Sequence, residues 1–267
     1  MKYKLIYVVL LIILSKDIKA QSTASKQVES FTIACPQLET SRKIWIYLPK
    51  DYQKSNKSYP VIYMHDAQNL FDNETSYVGE WKVDEFLDGL ISNQSIIVGI
   101  EHGNEKRIDE LTPYTHEKYG GGQGDKYLTF IKNTLKPHID ITYRTIKNAE
   151  NTTLFGASLG GLISFYGVIK FPDTFGKAGV FSPSFWINEE IYSLVETSEI
   201  SDTKKFYFLV GTEEGESMVP NQKRMVRLLK NKGIKDNQIK NIIIEGGKHN
   251  EEFWGSHFGD AYLWINN

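Results

Sequence analysis

The stretch Leu154–Gly167, LFGASLGGLISFYG, places Ser158 among three glycines, Gly156, Gly160 and Gly161. A short apolar run precedes Ser158 and a helical pattern follows it, so residues 156–160 form a G-x-S-x-G motif at a strand-to-helix turn. Such a turn is so sharp that side chains two residues on either side of the serine would collide, and glycine removes that collision. The motif therefore predicts Ser158 as an exposed nucleophile.

The rest of the chain alternates apolar runs typical of strands with helical patterns. Near-continuous apolar runs indicate strands that are covered on both faces of a parallel sheet. The candidate strands are 27–34, 42–48, 59–65, 95–101, 152–156, 177–182, 204–210 and 241–245. The candidate helices are 80–92, 123–136, 159–171, 187–197, 219–231 and 251–265. We predict an α/β fold with about eight mostly parallel strands, the first two antiparallel, and helices on both faces.

The length of 267 residues fits one domain, preceded by a targeting segment. Lys2 and Lys4 come before an apolar run from Leu5 to Leu14, and Ala20 is a small residue before Gln21, which predicts a signal peptide over residues 1–20 that is cleaved after Ala20. We expect residues 21–267 to form the folded domain, in the periplasm or outside the cell, without stable membrane association.

Composition excludes several classes of partner. Without residues 1–20 the chain has 27 Lys and Arg against 32 Asp and Glu, and it has no basic runs, so we expect no nucleic-acid binding. Histidine and cysteine show no metal-ligand spacing on one element, and we expect neither a metal nor a cofactor. The segment 102–124, with three consecutive glycines, is interpreted as a surface loop or as a flexible rim over the site.

A nucleophilic serine needs a base and an acid that orients the base. In sheets of this type both follow the serine in the chain, each after a later strand. Of six histidines, only His249 lies on the loop after the last predicted strand. The acid lies on the loop after the preceding strand, where we favour Glu214, with Glu213 and Glu216 as alternatives.

Attack on a carbonyl also requires two N–H donors for the oxyanion. Leu159, directly after the nucleophile, supplies one at the start of its helix. The other comes from the loop after the third strand, where Ala67 and Gln68 are the candidates and we favour Gln68. His65, at the end of that strand, is expected to position the substrate.

The chain resembles the putative-esterase group of α/β-hydrolases, which includes esterase D, the feruloyl and acetylxylan esterases of carbohydrate esterase family one, and the siderophore esterases that open ferric enterobactin. The resemblance runs from about residue 28 to the end and rests on these segments in this order: YPVIYMHDAQNLFD, YLTFIKNTLKPHID, LFGASLGGLISFYG, FGKAGVFSPSFW, FLVGTEEGESM and GGKHNEEFW. It implies Ser158 as nucleophile, Glu214 as orienting acid and His249 as base. It also implies that the stretch Ser182–Trp186 lies beside the substrate. This chain departs from the family in lacking a glycine after His65 and in using glutamate as the acid.

We therefore expect a serine esterase that acts through an acyl-enzyme on a small-molecule or polysaccharide ester. Trp186 and Trp254 flank the predicted site in sequence, and aromatic walls suit a feruloyl group, a sugar ring or a catecholate. We favour acyl or feruloyl esters of carbohydrates over siderophore esters. Two other classes are an acyltransferase with the same triad, which would depend on an added alcohol, and a catalytically silent binding protein.

Overall fold

The computed structural model describes residues 22–267, so the predicted signal peptide lies outside the described residues. An eight-stranded sheet organises the described residues; counted along the chain, its strands lie side by side in the order first, second, fourth and third, followed by the fifth to the eighth. The second strand runs antiparallel to both of its neighbours, and every other neighbouring pair is parallel. This confirms the predicted mostly parallel sheet and its antiparallel first pair.

Ten strands form this sheet and one small hairpin. The sheet strands are β1 (Val28–Cys35), β2 (Thr40–Tyr47), β3 (Val61–His65), β4 (Ile96–Ile100), β7 (Thr152–Ala157), β8 (Lys177–Phe181), β9 (Lys205–Gly211) and β10 (Ile239–Ile244). The hairpin pairs β5 (Thr115–His116) with β6 (Gly120–Gly121).

Within residues 22–267, eight α-helices lie between and after the strands. They are α1 (Val83–Asp88), α2 (Arg107–Leu111), α3 (Gly124–Phe130), α4 (Lys136–Thr142), α5 (Leu159–Lys170), α6 (Glu190–Thr197), α7 (Met218–Asn231) and α8 (Glu251–Asn266). A π-helical segment, Ile131–Leu135, joins α3 to α4. No helix in the described range is long and apolar enough to cross a bilayer.

The two faces of the sheet bury two separate apolar clusters. Alternate residues of β3 belong to opposite clusters: Val61 and Tyr63 pack with α3, α5, α6 and α7, whereas Ile62 and Met64 pack with α1 and α8. Because successive side chains of a strand point to opposite faces, a strand covered on both sides is apolar throughout. This explains the continuous apolar runs of the sequence.

The first helix is shorter than the predicted 80–92. The amide of Trp81 donates to the carbonyl of Asn69, and Lys82 has a φ of 57°, so the helix begins only at Val83. Residues 80–82 instead join this helix to the loop that follows β3.

The end of α8 is fastened to the sheet. The Lys177 and Lys205 ammonium groups donate to the carbonyls of Ile265 and Trp264 at 2.9 and 2.7 Å. At the other end, the Asn250 side chain caps the helix by accepting from the amide of Phe253 at 3.0 Å.

Segment 102–124, for which we expected a surface loop or a flexible rim, contains α2 and the β5–β6 hairpin. A buried ion pair ties it to the sheet: Arg42 Nη2 on β2 lies 2.6 Å from Glu110 Oε1 on α2. Both side chains are almost fully buried, so neither charge has water as an alternative partner.

We predict that Arg42→Leu lowers the free energy of unfolding by about 3–5 kcal/mol, because Glu110 is then buried without its counter-charge. Urea denaturation of wild type, Arg42→Leu and the double variant Arg42→Leu/Glu110→Leu measures this, and the double variant should regain most of the loss. Lys57→Leu, at the exposed Lys57–Asp51 pair, is the control and should change stability by less than about 1 kcal/mol. Equal effects of Arg42→Leu and Lys57→Leu would contradict the prediction.

Candidate active site

Ser158 lies at a sharp turn between β7 and α5, with φ 58° and ψ −120°. A Cβ on Gly156 would lie 2.8 Å from the carbonyl carbon of Gly160, and one on Gly161 would lie 2.7 Å from the Phe181 carbonyl oxygen. The turn therefore closes only with glycine at both positions. The Ser158 amide donates to the Phe181 carbonyl at 2.9 Å, which ties the turn to the neighbouring strand β8.

His249 and Glu214 come together after β10 and β9, which are neighbours in the sheet. His249 Nδ1 lies 2.9 Å from Glu214 Oε2, and the Glu214 side chain has no exposed surface. The two alternative acids lie apart from this contact: Glu213 is exposed, 3.9 Å from Lys248 Nζ, and Glu216 is also exposed. Of the three glutamates, the structure brings Glu214 to the histidine.

The other oxygen of Glu214 has two donors. The Ser182 hydroxyl donates to Oε1 at 2.7 Å and the Gly211 amide at 2.6 Å. Trp254 Nε1 in turn donates to Ser182 Oγ at 2.7 Å, and the Trp254 ring stands edge-on to the His249 ring at 4.8 Å between centroids. Both carboxylate oxygens are thus fixed, and the carboxylate in turn holds the imidazole through Nδ1.

Sequence reasoning assigned Trp254 to the substrate and missed its part in this network, along with that of Ser182. The available signal in the sequence was a serine directly after an apolar run, and the structure shows that this residue, Ser182, has a φ of 43°. A non-glycine residue at positive φ at the end of a strand is a feature worth examining for function.

The Ser158 hydroxyl hydrogen-bonds with Ser184 Oγ at 3.2 Å rather than with His249. Ser158 and His249 nevertheless line the same open cavity of about 380 Å³. Catalytic hydrogen bonds are often long or misaligned in an empty site and tighten when substrate binds.

His65, Asp66 and Arg107 also line the cavity. Asp66 has a φ of 58°, and its two carboxylate oxygens accept from Arg107 Nε and Nη2 at 2.7 and 2.9 Å. Burial alone would raise the pKa of Asp66, but the Arg107 charge and hydrogen bonds outweigh it and hold that pKa below its usual range. This bidentate pair fixes the start of the loop that contains Ala67 and Gln68.

His65 is buried, with Nδ1 2.8 Å from the Tyr127 hydroxyl and with Nε2 unpartnered within residues 22–267. Burial lowers the pKa of His65 to about 4, so its ring is neutral at pH 7. The pKa of His102, on the same cavity, is also lowered by burial.

The candidate oxyanion donors are free to act. In the part of the chain that the structure describes, the amides of Leu159, Ala67 and Gln68 donate to no acceptor. Gln68 lines the cavity, whereas the Ala67 side chain is buried against Gly99 of β4.

Trp186, the second tryptophan predicted to contact substrate, is 42% exposed and stands edge-on to Tyr119 at 5.7 Å. It is not among the residues that line the cavity. Residues that the sequence did not indicate are found there instead, notably Tyr77, Arg107 and Glu251.

Glu251 adds a carboxylate to the cavity beside the base. Its Oε1 accepts from Asn69 Nδ2 at 3.2 Å, and burial, with a contribution from the Asp66 charge, raises its pKa. Another group of acids, Glu80, Asp84 and Glu85, brings carboxylate oxygens within 4.8 Å of one another, but it lies outside the cavity.

Comparison with known proteins agrees with this architecture. A family model described as "Putative esterase" matches residues 35–265. The uncharacterized protein YbbA of Bacillus subtilis (strain 168) is 28% identical over 242 residues, which cover 84% of this chain and 92% of YbbA. The ferri-bacillibactin esterase BesA of the same strain is 30% identical over 165 residues, 55% of this chain and 55% of BesA.

Among solved structures, a ferulic acid esterase superposes with a TM-score of 0.68 at 17% identity, covering 90% of this chain and 97% of its own. This likeness supports the fold. Since the family model spans most of the chain, the protein belongs to this esterase family, a group of carboxylic ester hydrolases with the α/β-hydrolase fold.

Proposed function

We propose that the protein is a serine esterase in which Ser158 is the nucleophile, His249 the general base and Glu214 the acid that orients it. The observation that carries the proposal is the 2.9 Å contact between His249 Nδ1 and a fully buried Glu214, on the cavity that also holds the Ser158 turn. A histidine that donates Nδ1–H to a carboxylate presents Nε2 as the proton acceptor.

The reaction proceeds in two steps. The Ser158 hydroxyl turns from Ser184 to His249, transfers its proton to Nε2 and attacks the ester carbonyl, and His249 then protonates the leaving alcohol. A water molecule, deprotonated by the same imidazole, releases the acid from the acyl-enzyme. The amides of Leu159 and Gln68 stabilise the oxyanion in both steps, with Ala67 as the alternative second donor.

The charge of the cavity favours uncharged esters. Of the lining residues that lie within positions 22–267, Arg107 is the only lysine or arginine, and its guanidinium is paired with Asp66. The low pKa of His65 keeps its ring neutral at pH 7, burial lowers the pKa of His102, and Glu251 places a further carboxyl group in the cavity. A ferric catecholate siderophore is strongly anionic and would meet no free permanent cation here. We therefore propose acyl or feruloyl esters of carbohydrates as substrates.

The second candidate substrate class is a siderophore ester, and the observation that favours it is the 30% identity to the ferri-bacillibactin esterase. We also propose that the protein is exported to the periplasm or the cell exterior, because residues 1–20 have the composition of a signal peptide.

We predict that Ser158→Ala lowers kcat on p-nitrophenyl acetate by a factor on the order of 10⁶, and Glu214→Gln by about 10⁴, because both belong to one catalytic unit. Steady-state release of p-nitrophenolate, followed by its absorbance, measures both effects. Glu213→Gln, on the same loop but without contact to His249, is the matched control and should retain wild-type turnover. Full activity of Ser158→Ala would end the proposal.

We predict that methyl ferulate or acetylated xylan is hydrolysed at least about 10-fold more efficiently than ferric enterobactin. An unfavourable electrostatic contribution of about 1.4 kcal/mol to binding of the anionic siderophore is enough for that ratio. The values of kcat/KM for the three esters, measured on one preparation by chromatography of released acids, test this. The reverse order would favour the siderophore class.

A further inference from the structure

A polar groove of about 340 Å³ adjoins the catalytic cavity and shares Gln68, Tyr77 and His102 with it. The remaining residues that line it are all polar: Lys43, Glu74, Thr75, Glu101 and Asn104. A molecule bound at Ser158 can therefore extend past Gln68 into the groove without leaving the surface.

Two of the charged residues that line the groove pair with each other. Lys43 Nζ lies 3.2 Å from Glu101 Oε1, which also accepts from Trp45 Nε1 at 2.8 Å. Burial lowers the pKa of His102. Among the described residues the groove thus has no unpaired lysine or arginine and one unpaired carboxylate, Glu74, so it suits an uncharged polar ligand better than an anion.

The side chain of Gln68, which separates the two spaces, is 7% exposed and makes no hydrogen bond to any residue between 22 and 267; its Oε1 is fully buried. The loop backbone around it is fixed, because the Gln68 carbonyl accepts from Thr75 Oγ1 at 2.8 Å. A buried carbonyl oxygen without a hydrogen-bond partner costs about 1–3 kcal/mol. The side-chain nitrogen Nε2 keeps some exposed surface and has no partner among residues 22–267, so it is the atom of Gln68 that a ligand can reach.

A primary amide presents one acceptor and two donors side by side. Because Oε1 is fully buried, the group available to a ligand is the Nε2 amide, whose N–H groups can donate to the hydroxyl oxygens of a sugar. The Tyr77 ring, 80% exposed at the same boundary, offers an apolar face on which the C–H side of a sugar can pack.

We propose that this groove is a subsite for the sugar of a carbohydrate ester, and that the Gln68 side chain is its specificity-determining group. The inference rests on the proposed function and assigns the leaving alcohol to the groove and the acyl group to the cavity around Ser158. This role of the Gln68 side chain is separate from that of the Gln68 backbone amide, the candidate oxyanion donor. Any substitution at this position except proline retains the backbone N–H.

The test compares the methyl ester and the arabinosyl ester of one acyl group, ferulate or acetate, whichever the wild type hydrolyses faster. In Gln68→Leu, the ratio of kcat/KM for arabinosyl over methyl ester should fall by about 10-fold or more, since one unpaired buried polar group is worth that factor. Gln53→Leu, the same change on an exposed glutamine remote from the cavity, is the matched control and should leave both values unchanged.

A ratio that stays within twofold of wild type in Gln68→Leu overturns the subsite. Should that variant fold poorly, Tyr77→Ala decides, because its side chain is exposed: its KM for the arabinosyl ester should rise several-fold more than its KM for the methyl ester, and equal changes overturn the proposal. Absence of wild-type hydrolysis of any ester would instead refute the proposed function itself, so the two failures are distinguishable.

Discussion

The turn at Ser158 depends on a close approach of backbone that only glycine permits. Gly156 faces the main chain of Gly160, and Gly161 faces the carbonyl of Phe181, at distances where a methyl group has no room. This contact sets where α5 starts relative to β7 and β8, and it holds Ser158 at a φ of 58°. The position of the nucleophile is therefore a property of the sheet packing rather than of a loop, and the helix dipole of α5 points at the same place.

The segment that follows strand β8 contacts both the candidate nucleophile and the candidate acid. Residues 182–184 follow β8: the Ser184 hydroxyl contacts Ser158, while the Ser182 hydroxyl contacts Glu214 and Trp254. Each group of the candidate triad thus touches a residue of this one short segment or a partner of it. Such a shell of hydrogen bonds restricts the rotamers of the reacting side chains, which is a condition for electrostatic stabilisation without reorganisation.

The sequence predicted the fold well because its strongest signals are local. Apolar runs marked all eight sheet strands within a few residues, and G-x-S-x-G marked the turn. The pairing of Glu214 with His249 was favoured but not decided, since three glutamates share one loop and the register of that loop depends on the contacts of Gly211 and Ser182. The sequence analysis missed helix α2 and the ion pair between its Glu110 and Arg42. These two partners lie 68 residues apart in the chain, so their contact leaves no local sequence pattern. Trp186 was predicted to contact the substrate because it flanks the site in sequence, but the fold places it outside the lining of the cavity.

The helix cap at Asn250 adjoins His249, and the far end of the same helix is fastened to the sheet by Lys177 and Lys205 close to the last residue of the chain. One continuous helix, α8, about 24 Å long at 1.5 Å per residue, therefore joins these lysine contacts to the residue that follows His249. A group joined rigidly to the end of α8 would therefore act on the helix whose cap adjoins His249, whereas the residues ahead of β1 contact the loop after β3, where Ser22 Oγ donates to Asp72 Oδ2 at 2.6 Å.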